Sequence, residues 1–371
     1  MALPASLALI AATALPPQID VYTMGQGEHL FERFGHAAIC VTRASQSRCY
    51  NYGTTDFGSP PEELGYAFLR GTAEFWVSVW DRDRMLQQYK KHDRSVWRQH
   101  LNVTHEVARA VAARLEHDAK PENRAYVYHH FRDNCSTRVR DVLDAADAGA
   151  LRRSSTAPIA QSYRGLARQR LAGQSQLVAL ADVVVGRGAD APLSVWEGMF
   201  LPDLLRSQLK AHYGAEPEVV YTRRGAGFGQ RPAQPLGYHL GVGAVFTLAV
   251  GLASWRRWTR AASVLTGLTL ASVAMVLWGV ALLSQVPELR INEAVLVFWP
   301  TDVLLLHPRS DWRARYLALR LFALLLLFAL LAVGVLRQPL LGVLIAVAAP
   351  IMVLWRAHAS VPPATARDTR G

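Results

Sequence analysis

AASVLTGLTLASVAMVLWGVALLS, residues 261–284, contains no Asp, Glu, Lys or Arg, and about 20 such residues in a helix cross the roughly 30 Å hydrocarbon core of a bilayer. Reading outward, Tyr238–Ser254 and Gln338–Trp355 are equally free of charge, and 316–336 carries only Arg320, near one end where its stem can reach an interface. Before residue 235 only Met1–Leu15 looks comparable. It is a short apolar stretch closing on Ala12-Thr13-Ala14. That is the form of a secretory signal without its basic leader, as a start site assigned too far downstream would leave it; the other reading is an ordinary apolar N-terminus.

Ile291–His307, INEAVLVFWPTDVLLLH, is apolar but broken by Asn292, Glu293, Pro300 and Asp302. If it does not cross, Arg309, Arg313, Arg315 and Arg356 share a side with the domain that precedes the bundle. If it crosses, those four join Arg256, Arg257 and Arg260 in the cytoplasm, leaving only Arg290 and Arg337 in outer loops. Only the second arrangement obeys the positive-inside rule. The sequence therefore predicts five spans, about 237–255, 261–284, 291–307, 316–336 and 338–355, with the N-terminal domain outside the cytoplasm. Ionisable residues within a span are costly and face protein or water. Glu293 and Asp302 are thus expected either to line a substrate groove near the outer face or to stay hydrated at an interface.

A net charge of +11 and a pI near 9.9 raise the question of nucleic acid. The chain has only four lysines, and its arginines are scattered rather than gathered into the stripe that phosphate backbones require. No nucleic-acid partner is expected, and affinity for anionic lipid is at most secondary.

Residues 17–224 read as an α+β domain, followed by a Gly-, Pro- and Gln-rich linker, 225–236, the membrane domain, 237–356, and a tail, 357–371. Strands are predicted near 36–41, 50–53, 73–79, 96–103 and 125–131, and helices over 62–69, 82–91, 106–117 and 136–146, the third capped by Thr104. Cys40 and Cys49 flank the polar turn 43–48, so in an oxidising compartment they can pair across a hairpin. Cys135 is then left alone, and an odd cysteine in an exported protein is a candidate reactive thiol.

Two segments carry chemistry. In Glu32-Arg33-Phe34-Gly35-His36 a glycine precedes a histidine that opens a strand. In Asp133-Asn134-Cys135-Ser136-Thr137-Arg138 a strand gives way to an amphipathic helix; Asp133 or Asn134 would cap it and place Cys135 in its first turn. Free N–H groups and the positive end of the helix dipole there favour a thiolate and can stabilise an oxyanion. A cysteine at a helix start facing a strand histidine is the working geometry of papain-like thiol enzymes, here with the histidine first in the chain. His129 and His130 compete as base or ligand. No paired Cys/His spacing suggests a metal, and no cofactor is expected.

GEHLFERFGHAAICV (27–41), YNYGTTDF (50–57), YVYHHFRDNCSTRVRDVLD (126–144) and SVWEGMFLPDLL (194–205) together resemble the extracytoplasmic domain of the Lnb-type lipoprotein N-acyltransferase family, and the likeness continues through a five-helix C-terminal domain. The Asn-Cys helix start is also similar to the permuted papain-like fold of lecithin:retinol acyltransferase relatives. The resemblance implies a permuted papain-like (NlpC-like) thiol-enzyme domain ahead of an all-α five-helix bundle. It makes Cys135 the catalytic nucleophile and His36 its base. Glu32, Asn134, Tyr52, Asp56 and Ser136 are supporting residues, with Glu32 or a group near Asp56 orienting the imidazole. The implied reaction moves a fatty acyl chain from membrane phospholipid to the α-amine of a diacylglyceryl-cysteine lipoprotein, through a Cys135 thioester, at the periplasmic face of a bacterial inner membrane. The competing readings are a membrane-tethered cysteine peptidase or amidase acting on peptidoglycan or peptides, and a non-catalytic lipid- or lipoprotein-binding module.

Overall fold

The structure is a computed structural model that describes residues 16–56, 58, 60–229 and 231–359. The expected export segment, Met1–Leu15, and the tail beyond 359 lie outside these.

Six strands come early: β1 (Gln18–Met24), β2 (His36–Arg43), β3 (Gln46–Thr54), β4 (Glu74–Asp81), β5 (Val96–His100) and β6 (Ala125–Val127). Between and after them lie α1 (Pro61–Arg70), α2 (Arg82–Lys91), α3 (His105–Asp118) and α4 (Cys135–Ala146). A helical region follows, with α5 (Ala150–Arg153), α6 (Tyr163–Arg170), α7 (Ser175–Val184), α8 (Val195–Gly198) and α9 (Pro202–Tyr213), and a small ladder of β7 (Pro158–Ile159) with β8 (Leu193–Ser194). The last strand, β9 (Glu218–Tyr221), returns to make a seven-stranded antiparallel sheet of order β6-β4-β3-β2-β1-β5-β9. Thr104 caps α3 by accepting from Val107 N–H, and Asp81 caps α2 through Asp83 and Arg84 N–H. Cys40 and Cys49 lie opposite one another in the β2–β3 ladder and form a disulfide.

Strand alternation sorts the side chains onto two faces. Ala37, Ile39 and Val41 of β2, with Tyr50 and Tyr52 of β3, pack against Val111 and Leu115 of α3 and Val139, Val142 and Leu143 of α4. Ala38, Cys40 and Cys49 face the other way, onto Met85 and Tyr89 of α2. His36 and Asn51, by parity, fall on this second face.

The membrane domain contains α10 (Leu236–Trp255), α11 (Thr259–Leu283), α13 (Ser310–Ala332) and α14 (Leu341–Ala359), the four helices among the described residues that are long and apolar enough to cross a bilayer. A single turn, α12 (Pro287–Arg290), follows α11. The expected helical span at 291–307 is not there. In its place are two 3-10 helices, Glu293–Leu296 and Pro300–Leu306, because Pro300 has no N–H to donate and Asn292 bends back to cap Ala294. This irregular segment runs back along α11: Trp278 donates to Phe298 O, and further down Gly267 lies against Asp302 and Leu305. Backbone of this kind is tolerated at membrane depth only where protein covers it. Asp302 and Arg320 are both fully buried and paired at 2.8 Å, with Tyr316 Oη also donating to Asp302. Arg320 therefore does not reach for an interface; it neutralises Asp302.

The sheet domain sits on one end of the bundle. Gln285 N–H donates to Arg70 O at the end of α1, Asn292 Nδ2 to Val183 O and Val184 O of α7, and Gln338 Nε2 to Asp182 O. Arg256 and Arg257 in the α10–α11 turn, Arg260 at the start of α11, Arg309, Arg313 and Arg315 at the start of α13 and Arg356 near the close of α14 lie at the other end.

Candidate active site

Asn134 fixes the start of α4. Its extended backbone turns its Oδ1 onto the N–H groups of Ser136 (2.9 Å) and Thr137 (3.0 Å), while its own N–H donates to Thr137 Oγ1 at 2.7 Å. The Nδ2 end donates to His130 O and Phe200 O. All five bonds are buried or nearly so, and they leave Cys135 at the first helical position. The Ser136 and Thr137 N–H groups expected to serve an oxyanion are instead occupied by the cap.

Glycines bring two strands close to this point. Gly53, at φ +86°, lets the end of β3 pass so close to α4 that a Cβ there would stand 3.6 Å from Cys135 Cβ. Gly35, at φ +81°, precedes His36; a side chain there would stand 2.8 Å from Met24 O and 3.0 Å from Pro202 Cγ. The His36 ring stacks on Tyr89, with centroids 5.9 Å apart, and its buried Nε2 has no hydrogen-bond partner.

Cys135 and His36 line one cavity of about 710 Å³, together with Glu32, Asn51, Arg94 and an aromatic wall that includes Phe31, Phe75, Trp80, Tyr89 and Tyr128. Burial pushes the Cys135 thiol up, outweighing Ala37 N–H, Ser136 and the Arg94 charge, which favour the thiolate. The helix start alone does not ionise the thiol, contrary to the expectation from its position. Burial, helped by Arg94, lowers His36 to about 3, with the Asn51 carboxamide opposing. At neutral pH the site thus holds a neutral thiol and a neutral imidazole, the protonation state in which a histidine can take a proton.

The structure brings some predicted residues together and not others. Glu32, on the 3-10 turn Phe31–Phe34, lines the cavity, but its carboxylate faces Arg94 Nη1 (3.4 Å) and His29 N–H. Ser136 is buried beside Cys135. Tyr52 points to the opposite face and donates to Asp118 at 2.8 Å. Asp56 is exposed and accepts from Gly58 N–H, away from His36. His129 donates through Nε2 toward Glu288, and His130 is packed among Phe34, Phe131 and Phe200. Neither lines the cavity. Asp302 is sealed in its pair with Arg320, and Glu293 accepts from Arg337 and Gln338 N–H while pairing with Arg187; they form no groove with Cys135. Among the described residues no three His, Cys, Asp or Glu side chains gather as a metal ion would need. Asn51, Tyr89 and Arg94 were not foreseen. Strand parity marks Asn51 once His36 is chosen, whereas nothing in the sequence singles out Arg94.

The model of one family, the Lnb N-terminal periplasmic domain, matches residues 15–169. The match holds β1 through α4, and with them His36 and Cys135, and it agrees with the resemblance carried by the first three motifs. No curated protein and no solved structure matches the chain. With four membrane-capable helices behind a domain of periplasmic type, this is a multi-pass membrane protein.

Proposed function

We propose that the protein is a thiol-dependent lipoprotein N-acyltransferase of the inner membrane, working on its periplasmic side. The observation that carries this reading is the shared cavity: a helix-start cysteine and a base-competent histidine stand in an aromatic-walled space beside α1, which is tied to the bundle at Gln285. The arginine-rich far end of the bundle fits a cytoplasmic location, and the irregular segment after α11 then makes the fifth crossing. A papain-like kinship is supported by α4 lying against β2 and β3, with the histidine on the strand.

In the first half-reaction His36 Nε2 takes the thiol proton as Cys135 Sγ attacks a phospholipid ester carbonyl. The tetrahedral adduct collapses, the glycerol oxygen leaves with the proton from His36, and a lysophospholipid departs from the acyl-thioester. In the second, the lipoprotein α-amine attacks the thioester carbonyl, the C–S bond breaks, and the amine's proton returns by His36 to Cys135 Sγ. An α-amine of pKa about 7.7–8.0 is already partly neutral near pH 7. A cell-wall hydrolase would need the same pair but neither an aromatic cavity nor a buried multi-helix bundle.

Incubation of the full chain with phospholipid nanodiscs, without acceptor, tests this directly. Intact mass should show one acyl group on the wild type, removable by hydroxylamine, and none on Cys135→Ala. Acylation of Cys135→Ala at the wild-type rate would overturn the mechanism.

A further inference from the structure

The cavity holds a cation that the two half-reactions do not use. Arg94 lies in the turn between α2 and β5, and only 4% of it is exposed. Its Nε donates to Gly25 O at 3.0 Å, and its guanidinium lies 5.0 Å from the Tyr89 ring centroid. Its one acidic contact, Glu32, is at 3.4 Å from Nη1. Nη2 is buried and has no partner at all. A guanidinium taken out of water with a whole fork arm unsatisfied is a costly arrangement unless a ligand completes it. The planar N–H fork matches the oxygens of a phosphate better than any other common anion geometry except a carboxylate.

The need for an ester that Cys135 can attack decides between those two, because a fatty carboxylate has none to give up whereas a glycerophospholipid carries its phosphodiester beside its esters. Phe31, Phe75, Trp80 and Tyr128 give the cavity an apolar wall, so its occupant has a hydrophobic part as well as an anionic one. We propose that Arg94 binds the phosphodiester of the acyl donor, so that the cavity selects a glycerophospholipid over an uncharged acylglycerol and presents the ester to Cys135. This rests on the acyl-thioester reading above. Glu32 then has a defined part: it holds Nη1 in place while Nη2 stays free for phosphate.

The test compares two donors that differ only in the phosphate. Full-length protein in neutral detergent is given dioleoyl phosphatidylglycerol or dioleoylglycerol in mixed micelles, and the rate of acyl-thioester formation at Cys135 is followed by intact mass. The wild type should acylate from the phospholipid about 10- to 100-fold faster, the range for one charge-assisted hydrogen-bonded contact. Arg94→Met should lose that preference, its rate on the phospholipid falling much further than its rate on dioleoylglycerol, and Arg94→Lys, which keeps the charge but not the fork, should fall between. The dioleoylglycerol rate, measured on the same preparation, reports whether the variant site is intact. Equal losses on both donors would assign Arg94 to scaffolding or to the oxyanion and overturn the proposal, as would an unchanged preference. A wild type that forms no thioester from either donor would remove the acyltransfer reading itself, a failure visible before any Arg94 variant is made.

Discussion

His36 is held neutral by burial, and that has a consequence in solution. A histidine with an ordinary pKa of about 6.5 would lose most of its basic form between about pH 7.5 and 5.5; His36, at about 3, does not. kcat/KM for thioester formation should therefore show no acid limb near 6.5, and a limb appearing there would mean that the working base is some other, exposed group. The same lowering has a stability sign. Between about 3 and 6.5 the unfolded chain binds a proton on this residue that the folded chain refuses, so His36 contributes stability above 6.5 that is lost as pH falls through that window. His36→Gln should lower the acylation rate about 10²- to 10⁴-fold and flatten part of the acid dependence of the melting temperature. That Cys135 and His36 share one cavity was legible in the sequence because a helix cap and a glycine-preceded strand residue leave local marks. Tyr52 and Asp56 belong to the motif at 50–57, but period-two alternation sends Tyr52 to the α3 side of the sheet, and only Asn51 turns toward the histidine.

At the scale of single elements, α4 depends on one residue more than on any other. Asn134→Ala removes the cap of the helix that carries Cys135 and strands the carbonyls of His130 and Phe200. Loss of a cap alone costs about 0.5–2 kcal/mol, so thermal melting should fall at least that far, and thiol alkylation at Cys135 should become faster as the first turn frays. The segment after α11 makes a second case. It packs so close to Gly267 that a Cβ there would lie 2.7 Å from Asp302 O. Gly267→Ala should cost about 1–3 kcal/mol, as overpacking does, whereas Gly279→Ala on the same helix, with nothing near it, should be close to neutral. Strands β2 to β6 followed from alternation and turn residues, whereas β9 and the short β7–β8 ladder were not foreseen. β1 was missed because its residues after Gln18 are buried on both faces and so show no alternation. The third apolar stretch read as a helix because hydropathy cannot tell a helix from a 3-10 path covered by neighbours.

Across the whole molecule, the bundle and the loop that leads to Cys135 are joined by Glu288. This buried carboxylate of α12 accepts from Arg132 at 2.7 Å and from His129 Nε2 at 3.1 Å, while His129 Nδ1 accepts the N–H groups of Phe131 and Arg132 in the loop that leads to Cys135. Glu288→Ala should lower the acylation rate about 10-fold or more, since small misplacements of a reacting group carry large penalties. His129→Ala should do the same, and the double variant should add little. Gln338→Ala, which loosens the docking at Asp182 without touching that loop, should leave the rate within about twofold. The most direct test of the central claim is made in cells: a bacterium depleted of its own apolipoprotein N-acyltransferase is given this chain, and the N-terminal peptides of its lipoproteins are weighed. The account predicts one added acyl group on the diacylglyceryl-cysteine amine with the wild type and none with Cys135→Ala; unmodified N-termini at normal expression, or full modification with Cys135→Ala, would contradict it.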